Sequence, residues 1–324
     1  MKYPYLETIN EIQRSFIDKF NSSTNIKYEY VACPSCLTKK NIHLYDNDRY
    51  ELKHSVVICL NCTLIYANPR MASSSLEEFY SSGVYRNIYT NISKEQEMNL
   101  QYSNFSYKFS KPNYKTYHQF LSHDFLLDKE IKFSNVAEIG CGYGLNLKAF
   151  KMLGKETFGL EPDKEIEEFI KKKKLNINIK NGFYNDLEGK FDLIFVKHVF
   201  EHLPDPKHFL YNIRKNTNKY LYIEVPGNYR QLQSIQNAHT MFFSSNTLID
   251  LVVSESFNLE YLEISKDNGF ILSLFSISNK KSKFYFNKKL ELTKVLYYFC
   301  RSFLSNLKKK LNYFLHNKCK TPSP

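Results

Sequence analysis

The sequence predicts an α/β protein whose largest part is a parallel sheet covered by helices. Strand-like and helix-like segments alternate between residues 134 and 277, which is typical of such a sheet. Two Cys-x-x-Cys pairs fall earlier, within residues 26–72, and indicate a small separate module. Residues 279–324 are rich in Lys, Phe, Tyr and Leu and indicate a helical tail. A chain of 324 residues is long enough for about two folded units.

The elements of the alternating region follow from the pattern of apolar residues. Short runs of β-branched and aromatic residues predict strands, and amphipathic stretches between them predict helices. The predicted strands are 135–139, 156–160, 177–180, 191–196 and 220–225, and the predicted helices are 145–153, 164–174 and 246–254. Residues 259–264 and 270–277 predict a closing hairpin that turns at Asp267-Asn268-Gly269.

Composition and charge narrow the class of protein. The formal net charge is +12, but residues 279–324 hold twelve basic side chains and one acidic side chain, Glu291. The rest of the chain is close to neutral, which speaks against nucleic acid as the partner of the main domain. No apolar run is long enough for a transmembrane helix, and the first residues lack the apolar core of a secretory signal. We therefore expect a cytoplasmic protein.

Four of the seven cysteines form two closely spaced pairs, Cys33-x-x-Cys36 and Cys59-x-x-Cys62. Each such turn points two sulfurs at one ion, and two turns together complete a tetrahedral zinc site. Four sulfur ligands leave no open position for water, so we expect the zinc to be structural. A module this small also has too little core to fold reliably without a metal. Two unrelated pairs, or a single redox pair, are the alternatives.

A glycine-rich segment, Glu138-Ile139-Gly140-Cys141-Gly142-Tyr143-Gly144, lies between the first strand and the first helix of the alternating region. Glycines here let the backbone turn tightly and approach a ligand at a helix N-terminus. The spacing is G-x-G-x-G, which differs from the G-x-G-x-x-G of nicotinamide-binding proteins. Glu161 ends the next strand, where its carboxylate can accept hydrogen bonds from both hydroxyls of a ribose.

These residues resemble class I S-adenosylmethionine-dependent methyltransferases. The resemblance covers about 134–277 and includes Phe191-Asp192-Leu193-Ile194, the segment 198–206 and Glu224-Val225-Pro226. It implies a Rossmann-like, seven-stranded sheet with S-adenosyl-L-methionine across the carboxyl ends of the strands. The cofactor-binding residues that it implies are Glu138, Gly140, Cys141, Gly142, Gly144, Glu161, Gly182, Phe183 and His198.

The resemblance also divides these residues by the part of the cofactor that they face. It places the three glycines at the methionine part, Glu161 at the ribose, and Asn181-Gly182-Phe183 at the adenine. The commoner pattern of the family has an acid near position 182, which this sequence lacks.

The N-terminal region is similar to the subfamily that carries an N-terminal zinc module. That subfamily includes nucleotide-sugar C-methyltransferases and enzymes of surface-polysaccharide pathways. The similarity rests on the cysteine pairs, on the segment 64–70, and on Phe79-Tyr80 and Tyr85-Arg86. In the C-methyltransferases a Tyr-x-Glu-His stretch precedes a run of paired aromatics and Ser. Residues 236–239 read Gln-Asn-Ala-His here, so the histidine is kept and two of the groups expected to stabilise an enolate are missing, which favours methylation of a hydroxyl or amine.

Two histidines, His239 and His202, are the candidate catalytic residues. Methyl transfer from a sulfonium needs in-line positioning, and a sugar hydroxyl also needs a base that works near neutral pH, as histidine does. His239 follows the fifth strand and His202 follows the fourth, so both fall at the carboxyl edge of the predicted sheet. We expect His239 to act as the base, with a pKa of about 6.5 if it is unperturbed. A packing role is the alternative for each.

The basic tail forms one predicted amphipathic helix. Its apolar residues recur every three or four positions, at Leu292, Leu296, Phe299, Phe303, Leu307, Leu311 and Phe314. A basic, aromatic-bearing helix suits an anionic membrane surface. Packing on the protein itself, or on a partner, is the alternative for residues 279–320.

The sequence therefore predicts a methyltransferase in five parts. They are a leader (1–25), a zinc ribbon (26–72), a connecting helical region (73–130), the class I methyltransferase domain (131–278) and the basic C-terminal helical tail (279–324). The expected reaction is methylation of a hydroxyl or amine on a nucleotide-linked sugar or surface-glycan precursor. An rRNA or tRNA methyltransferase, a sugar C-methyltransferase and a cofactor-free binding module are the alternatives.

Overall fold

The computed structural model of the chain describes most of its length. The described residues are 9–81, 84–89, 96–97, 99–100, 103, 131–172, 176–227, 235–265, 269–301 and 304. Asp267 and Asn268 of the predicted hairpin turn lie outside these ranges, and so do most of the connecting region and the tail beyond residue 304.

A seven-stranded sheet forms the larger domain. Its strands are β6 (Asn135–Ile139), β7 (Glu156–Glu161), β8 (Ile179–Asn181), β9 (Phe191–Lys197), β10 (Thr217–Pro226), β12 (Phe257–Ile264) and β13 (Phe270–Ile277). The order across the sheet is β12-β13-β10-β9-β6-β7-β8. All pairings from β8 to β10 are parallel, and β13 is antiparallel to both of its neighbours. The predicted Rossmann-like, seven-stranded fold is confirmed.

The order of the strands reverses between β6 and β9, which lie side by side in the sheet. β7 and β8 extend the sheet on one side of β6, whereas β9 and β10 extend it on the other. In open α/β sheets, ligands bind at such a switch point, outside the carboxyl ends of the strands. The residues that follow β6, β7, β9 and β10 therefore meet at one edge.

Helices cover this sheet. They are α4 (Leu145–Met152), α5 (Lys164–Lys172), α6 (Pro206–Asn216) and α7 (Ser245–Val253). The strand pattern did not single out α6, although its start carries a clear signal. Asp205 caps it by accepting a hydrogen bond from the His208 N–H, and Pro206 occupies the first turn.

The residues around the two cysteine pairs form the cysteine module (residues 26–72). It contains β1 (Tyr28–Glu29), β2 (Asn41–Asn47), β3 (Lys53–Cys59), β4 (Ile65–Ala67) and β5 (Arg70–Met71). β11 (Met241–Phe242), from the larger domain, completes a four-stranded sheet in the order β11-β4-β3-β2. One apolar core contains Cys33, Cys59 and Leu64 of this module together with Ile194 and Phe209 of the larger domain. The module was expected to be separate; the structure instead packs it into the larger domain.

Three N-terminal helices enclose the other side of the cysteine module. They are α1 (Glu11–Ser22), α2 (Ser73–Ser81) and α3 (Val84–Tyr89). α1 begins with a capping box between Asn10 and Gln13. Its buried residues Ile17 and Phe20 pack with Leu52 of the module, so part of the predicted leader belongs to the folded core.

Residues 288–301 of the tail form a helix, α8. Val295 is buried and Leu292 and Phe299 pack beside it on the outer face of the module's sheet, where the Phe299 ring lies 5.1 Å from that of Tyr45. Leu296, predicted on the same apolar face, is exposed because the helix turns Val295 inward instead. The described helices include none that is long and apolar enough to cross a bilayer.

Candidate functional site

The glycine loop lies at the carboxyl end of β6, at the switch point of the sheet. Gly140, Gly142 and Gly144 all have positive φ, between 49° and 69°, where a side chain would strain the backbone. A Cβ on Gly140 would lie 2.5 Å from Val199, whereas a Cβ on Gly142 would meet nothing within 4 Å. Gly140 therefore permits close packing of the loop, and Gly142 faces open space on the ligand side.

The N-terminus of α4 follows this loop directly. Gly144 is its N-cap residue, and no side chain caps the first turn. The N–H groups of such a turn attract an anionic group, because the helix dipole is positive at this end. This end of the helix suits the carboxylate of a bound amino acid.

Two buried carboxylates flank the loop. Glu161, at the end of β7, accepts hydrogen bonds from Gly142 N–H at 2.8 Å and from Asp163 N–H at 3.1 Å. Glu138 accepts one from Asn146 at 2.7 Å through Oε1, and its Oε2 is buried without a partner. Burial raises the pKa of Glu138 to about 8. An orphaned buried oxygen beside the loop fits an ammonium group, which is what the methionine part of the cofactor carries.

The predicted adenine side contains an acid that the sequence pattern did not reveal. Gly182 and Phe183 follow β8, and Phe183 is exposed. Asp186 turns back over them: its Oδ2 accepts a hydrogen bond from Phe183 N–H at 2.8 Å and would lie 2.8 Å from a Cβ on Gly182. A carboxylate thus lies beside Gly182 in space, although it follows four residues later along the chain.

Cys141, also predicted to bind the cofactor, turns its side chain toward the sheet. Its thiol is buried, and a Cβ on Gly159 of β7 would lie 2.7 Å from its Sγ. Burial, reinforced by the charges of Glu138 and Glu161, raises the pKa of Cys141 well above its usual value. Only its backbone is left to face a ligand.

His198 lies at the end of β9 in a left-handed conformation, with φ of 55°. Its Nδ1 is 3.8 Å from Glu201 Oε1 and its Nε2 is 3.4 Å from Glu224 Oε1. Burial alone would lower the pKa of His198, but the two carboxylates outweigh it and raise the pKa to about 9. The imidazole is therefore a cation at neutral pH. His198 directly precedes Val199, the residue that packs against Gly140 of the glycine loop.

Both candidate catalytic histidines meet beside Glu201, which is fully buried. We call Glu201, His202 and His239 the acceptor cluster; one oxygen or nitrogen of each lies within 4.8 Å of the others. The rings of His202 and His239 are 4.8 Å apart, edge to face. Thr240 fixes the two segments together, because its N–H and its hydroxyl both donate to the Glu201 carbonyl, at 2.9 and 3.1 Å.

Within the acceptor cluster, the two histidines differ. His202 donates from Nδ1 to the carbonyl of Ala238 at 2.9 Å, which leaves the lone pair on Nε2. His239 is buried, and its pKa lies well below 6.5 because burial, and then repulsion from a protonated His202 and from Arg49, disfavour the charged ring. The unperturbed value of 6.5 therefore does not apply, and His239 stays neutral through the neutral range.

The cysteine module contributes side chains on the far side of His239. His54 of β3 is buried, its ring lies 6.0 Å from that of Phe242, and burial lowers its pKa to about 3. Arg49, in the loop between β2 and β3, lies 3.4 Å from the side-chain oxygen of Gln236. Neither residue belongs to a sequence motif, so only the fold brings them here.

The four paired cysteines converge as predicted. Sγ atoms of Cys33 and Cys62, and of Cys36 and Cys59, are 3.5 Å apart, and all four lie within 4.8 Å of one another. Tetrahedral zinc with Zn–S bonds of about 2.3 Å requires sulfurs about 3.8 Å apart. The Cys59 sulfur also accepts hydrogen bonds from the N–H groups of Asn61 and Cys62. The cluster fits a closed tetrahedral zinc site.

Comparisons with known proteins agree with this fold. Residues 115–264 match the sequence model of a family described as a methyltransferase domain. The comparison with curated proteins gives no match. The matched residues are less than half of the chain, and they contain the glycine loop and the strands from β6 to β12.

Several solved structures that are similar to the chain, at low identity, are described as methyltransferases. One is an S-adenosylmethionine-dependent methyltransferase from Clostridium acetobutylicum ATCC 824, at 11% identity and a TM-score of 0.44, covering 56% of this chain and 99% of that chain. Another is magnesium protoporphyrin IX methyltransferase from Synechocystis PCC 6803, at 11% identity and a TM-score of 0.45, covering 64% and 99%. A third, from Archaeoglobus fulgidus, has 16% identity and a TM-score of 0.40, covering 54% and 99%.

Proposed function

We propose that the protein transfers the methyl group of S-adenosyl-L-methionine to a hydroxyl group held in the acceptor cluster. The placement of a histidine beside a buried carboxylate that makes no hydrogen bond among the described residues carries the proposal. His202 Nε2 and Glu201 Oε1 lie 3.8 Å apart. Both atoms accept hydrogen bonds, so a hydroxyl donates to one of them at a time. The distance lies between about 3.4 Å, expected across a shared metal, and about 4.6 Å, expected across a shared hydrogen-bonded oxygen, so the buried oxygens of Glu201, rather than the spacing, favour a hydroxyl.

The two buried oxygens of Glu201 support this assignment. Neither makes a hydrogen bond among the described residues. The His198 cation, 3.8 Å from Oε1, offsets part of the charge of Glu201. A buried carboxylate without hydrogen bonds is still costly, so the site favours a ligand that brings a donor. A hydroxyl supplies one donor to Glu201 or to His202 and keeps its lone pair for the incoming methyl group.

The cofactor site has a residue for each part of S-adenosyl-L-methionine. The N-terminus of α4 suits its carboxylate and Glu138 its ammonium group, while Glu161 suits the ribose and Asp186 the adenine amino group. Gly142 leaves the space beside them open. When bound, the cofactor supplies an electrophilic methyl group on a sulfonium.

The chain's own residues then position the acceptor and remove one proton. As the oxygen–carbon bond forms and the sulfur–carbon bond breaks, the hydroxyl proton goes to His202 Nε2. We assign the base to His202 rather than His239 because His202 is more exposed, with 22% of its side chain accessible, and because Ala238 fixes its tautomer. His239, neutral and buried, orients the hydroxyl.

We further propose that the acceptor is a sugar of a nucleotide-linked or surface-glycan precursor, and that the four-cysteine cluster holds one structural zinc ion. The sugar assignment rests on the similarity of the N-terminal region and on the histidine kept at position 239. Membrane contact through the tail would be electrostatic over residues 288–301, because their apolar face packs on the cysteine module while Lys288, Lys289 and Lys294 are exposed.

Incubation of the protein with methyl-labelled cofactor and separate pools of acceptors tests the proposal. The pools are nucleotide sugars, lipid-linked sugars and unmodified rRNA or tRNA. We expect label in a sugar pool, and its loss with Glu201→Gln. The matched control is His43→Asn, which alters a surface histidine paired with Asp46 and should leave transfer unchanged. Label in RNA alone would refute the sugar assignment and leave methyl transfer intact.

A further inference from the structure

The loop between β2 and β3 of the cysteine module carries a guanidinium that has no counter-charge among the described residues. Arg49 is partly buried, and its Nε is buried with no hydrogen-bond partner in that part of the chain. Its Nη2 donates a hydrogen bond to Gln236 Oε1, at the long distance of 3.4 Å. No carboxylate of the described residues lies within 4 Å of this guanidinium; the ion pairs of the neighbouring loop residues go elsewhere. A partly buried cation in this state favours an anionic ligand.

The two acids nearest in sequence are occupied by other groups. Both oxygens of Asp48 serve hydrogen bonds: Oδ1 accepts from Tyr50 N–H and Leu52 N–H, and Oδ2 accepts from the Tyr89 hydroxyl and Asn237 N–H. Burial raises the pKa of Asp48 to about 6. Glu51 pairs with Arg14 at 2.7 Å. Neither acid is therefore the partner of Arg49.

The guanidinium is also held in place. Its carbon lies 5.3 Å from the ring centroid of Tyr50 and 5.8 Å from that of Tyr89, within the range of cation–π contacts. The Arg49 backbone N–H donates to the Ile235 carbonyl at 2.9 Å. Because ring contacts and backbone fix its position, little side-chain entropy is left to lose when an anion binds.

Arg49 adjoins the acceptor cluster through a short connection. Gln236, its hydrogen-bond partner, accepts the backbone N–H of His239 through its own carbonyl at 3.0 Å. Among the charges that, after burial, lower the pKa of His239, that of Arg49 follows that of a protonated His202. His54 is neutral at pH 7, and His198 is paired with Glu201 and Glu224. Arg49 is therefore a cation beside His239 that has no carboxylate of the described residues within 4 Å.

We propose that Arg49 binds an oxyanion of the methyl acceptor, a phosphate or carboxylate carried beside the hydroxyl that is methylated. The planar guanidinium presents paired donors that match the two oxygens of such a group. The cysteine module thereby forms part of the acceptor site. This inference rests on the proposed function for the position of the acceptor. The negative charge of the acceptor is inferred from Arg49 alone.

Calorimetry on the full-length protein tests the inference. The protein is titrated first with S-adenosylhomocysteine, then with pyrophosphate and, in a separate run, with glucuronate. Hydrogen bonds to charged groups contribute about 1.5–3 kcal/mol each, so Arg49→Gln should weaken binding about 10- to 100-fold. Arg49→Lys keeps the charge and loses the paired donors, so its affinity should fall between the two. The matched control is Arg301→Gln, an exposed arginine of α8, which should bind like the unsubstituted protein.

The two anions separate the sources of the oxyanion. Binding of pyrophosphate alone assigns a phosphorylated acceptor, binding of glucuronate alone assigns an acidic one, and either result with loss in Arg49→Gln supports Arg49. If neither anion binds, or if Arg49→Gln binds as tightly as the unsubstituted protein, the inference is overturned. Should Arg49→Gln fail to fold, Arg49→Lys decides. Failure of S-adenosylhomocysteine to bind counts against the proposed function, and the anion titrations without it still test Arg49.

Discussion

Met241 pairs with Tyr66 in antiparallel register, so β11, which lies between β10 and β12 of the main sheet in the sequence, completes the sheet of the cysteine module. The next hydrogen bond, from Ala67 N–H to the Thr240 carbonyl at 2.9 Å, continues this junction. Thr240 in turn binds the Glu201 carbonyl. The cysteine module is thus connected, through backbone hydrogen bonds, to the residues that we propose for the acceptor.

Removal of one cysteine ligand should therefore affect the whole protein. We expect one zinc per chain after purification without added zinc, and little or none in Cys36→Ser. Because three of the four cysteines lie in the core shared with the main sheet, Cys36→Ser should lower the Tm of a single transition for both parts. Metal analysis and thermal unfolding measure these effects.

The matched control for this prediction is Cys300→Ser, an exposed cysteine of α8 outside the cluster. It should keep the zinc and the Tm of the unsubstituted protein. Full zinc content in Cys36→Ser would contradict the ligand set. Separate unfolding of the module, with an unchanged transition for the main domain, would contradict the shared core.

The catalytic prediction concerns His202. If its Nε2 takes the hydroxyl proton, His202→Asn should lower turnover about 10²- to 10⁴-fold, the range for a positioned base. Cofactor affinity should hardly change. His239→Asn should lower turnover less, because a neutral amide can still orient a hydroxyl. Equal, near-complete activity of both variants would show that transfer depends on proximity alone or that the acceptor needs no base.

Much of the fold followed from local patterns. Short, mostly apolar runs predicted several strands, and the ends of these strands lie within one residue of the prediction. They are 135–139, 191–197 and 270–277. The packing of the cysteine module did not follow, because the pairing of β11 with β4 joins residues far apart in the sequence. The buried face of α8 also differed from the predicted one. A rotation of the helix by one residue decides whether Val295 or Leu296 is buried, and the surface on which the helix packs determines that rotation.

The candidate site likewise contains residues that local motifs predicted and residues that only the fold brings together. The cysteine set and the glycine loop are contiguous motifs, so spacing alone predicted them. Asp186 was missed because a short helical turn, not a motif, returns its carboxylate to Gly182. Arg49 lies in a loop of the cysteine module, and no local signal connects it to His239. The depressed pKa of His239 comes from burial by the folded chain, which the sequence does not display.

Asp186 should determine recognition of the adenine amino group. We expect the protein to bind S-adenosylhomocysteine more tightly than S-inosylhomocysteine, which lacks that group. Asp186→Asn should reduce the difference, since a charged acceptor contributes about 1.5–3 kcal/mol, or roughly 10- to 100-fold. Asparagine can still cap the turn at Phe183, so the fold should persist. Calorimetry with both ligands measures the ratio; an unchanged ratio would remove Asp186 from the adenine site.

The raised pKa of His198 predicts a pH dependence of stability. Its folded pKa is about 9 against a reference value of 6.5, so the native state holds the proton more tightly. The stabilisation is fully present below pH 6.5 and is lost as the pH rises through 9. His198→Asn, which tolerates the positive φ, should lower the free energy of unfolding most at pH 6 and least above pH 9. Urea unfolding at several pH values measures the difference in the free energy of unfolding between the two proteins. A difference that stays constant with pH would contradict the prediction.

The most direct test of the account is binding of S-adenosyl-L-methionine to Gly142→Val. The valine side chain would enter the open space beside the loop, at a φ of 49°. The matched control is Gly154→Val, at a φ of 75° with equally open space, after α4 at the opposite edge of the sheet. Calorimetry should show cofactor binding to the unsubstituted protein and to Gly154→Val, and none to Gly142→Val. Undiminished binding to Gly142→Val would contradict the cofactor site.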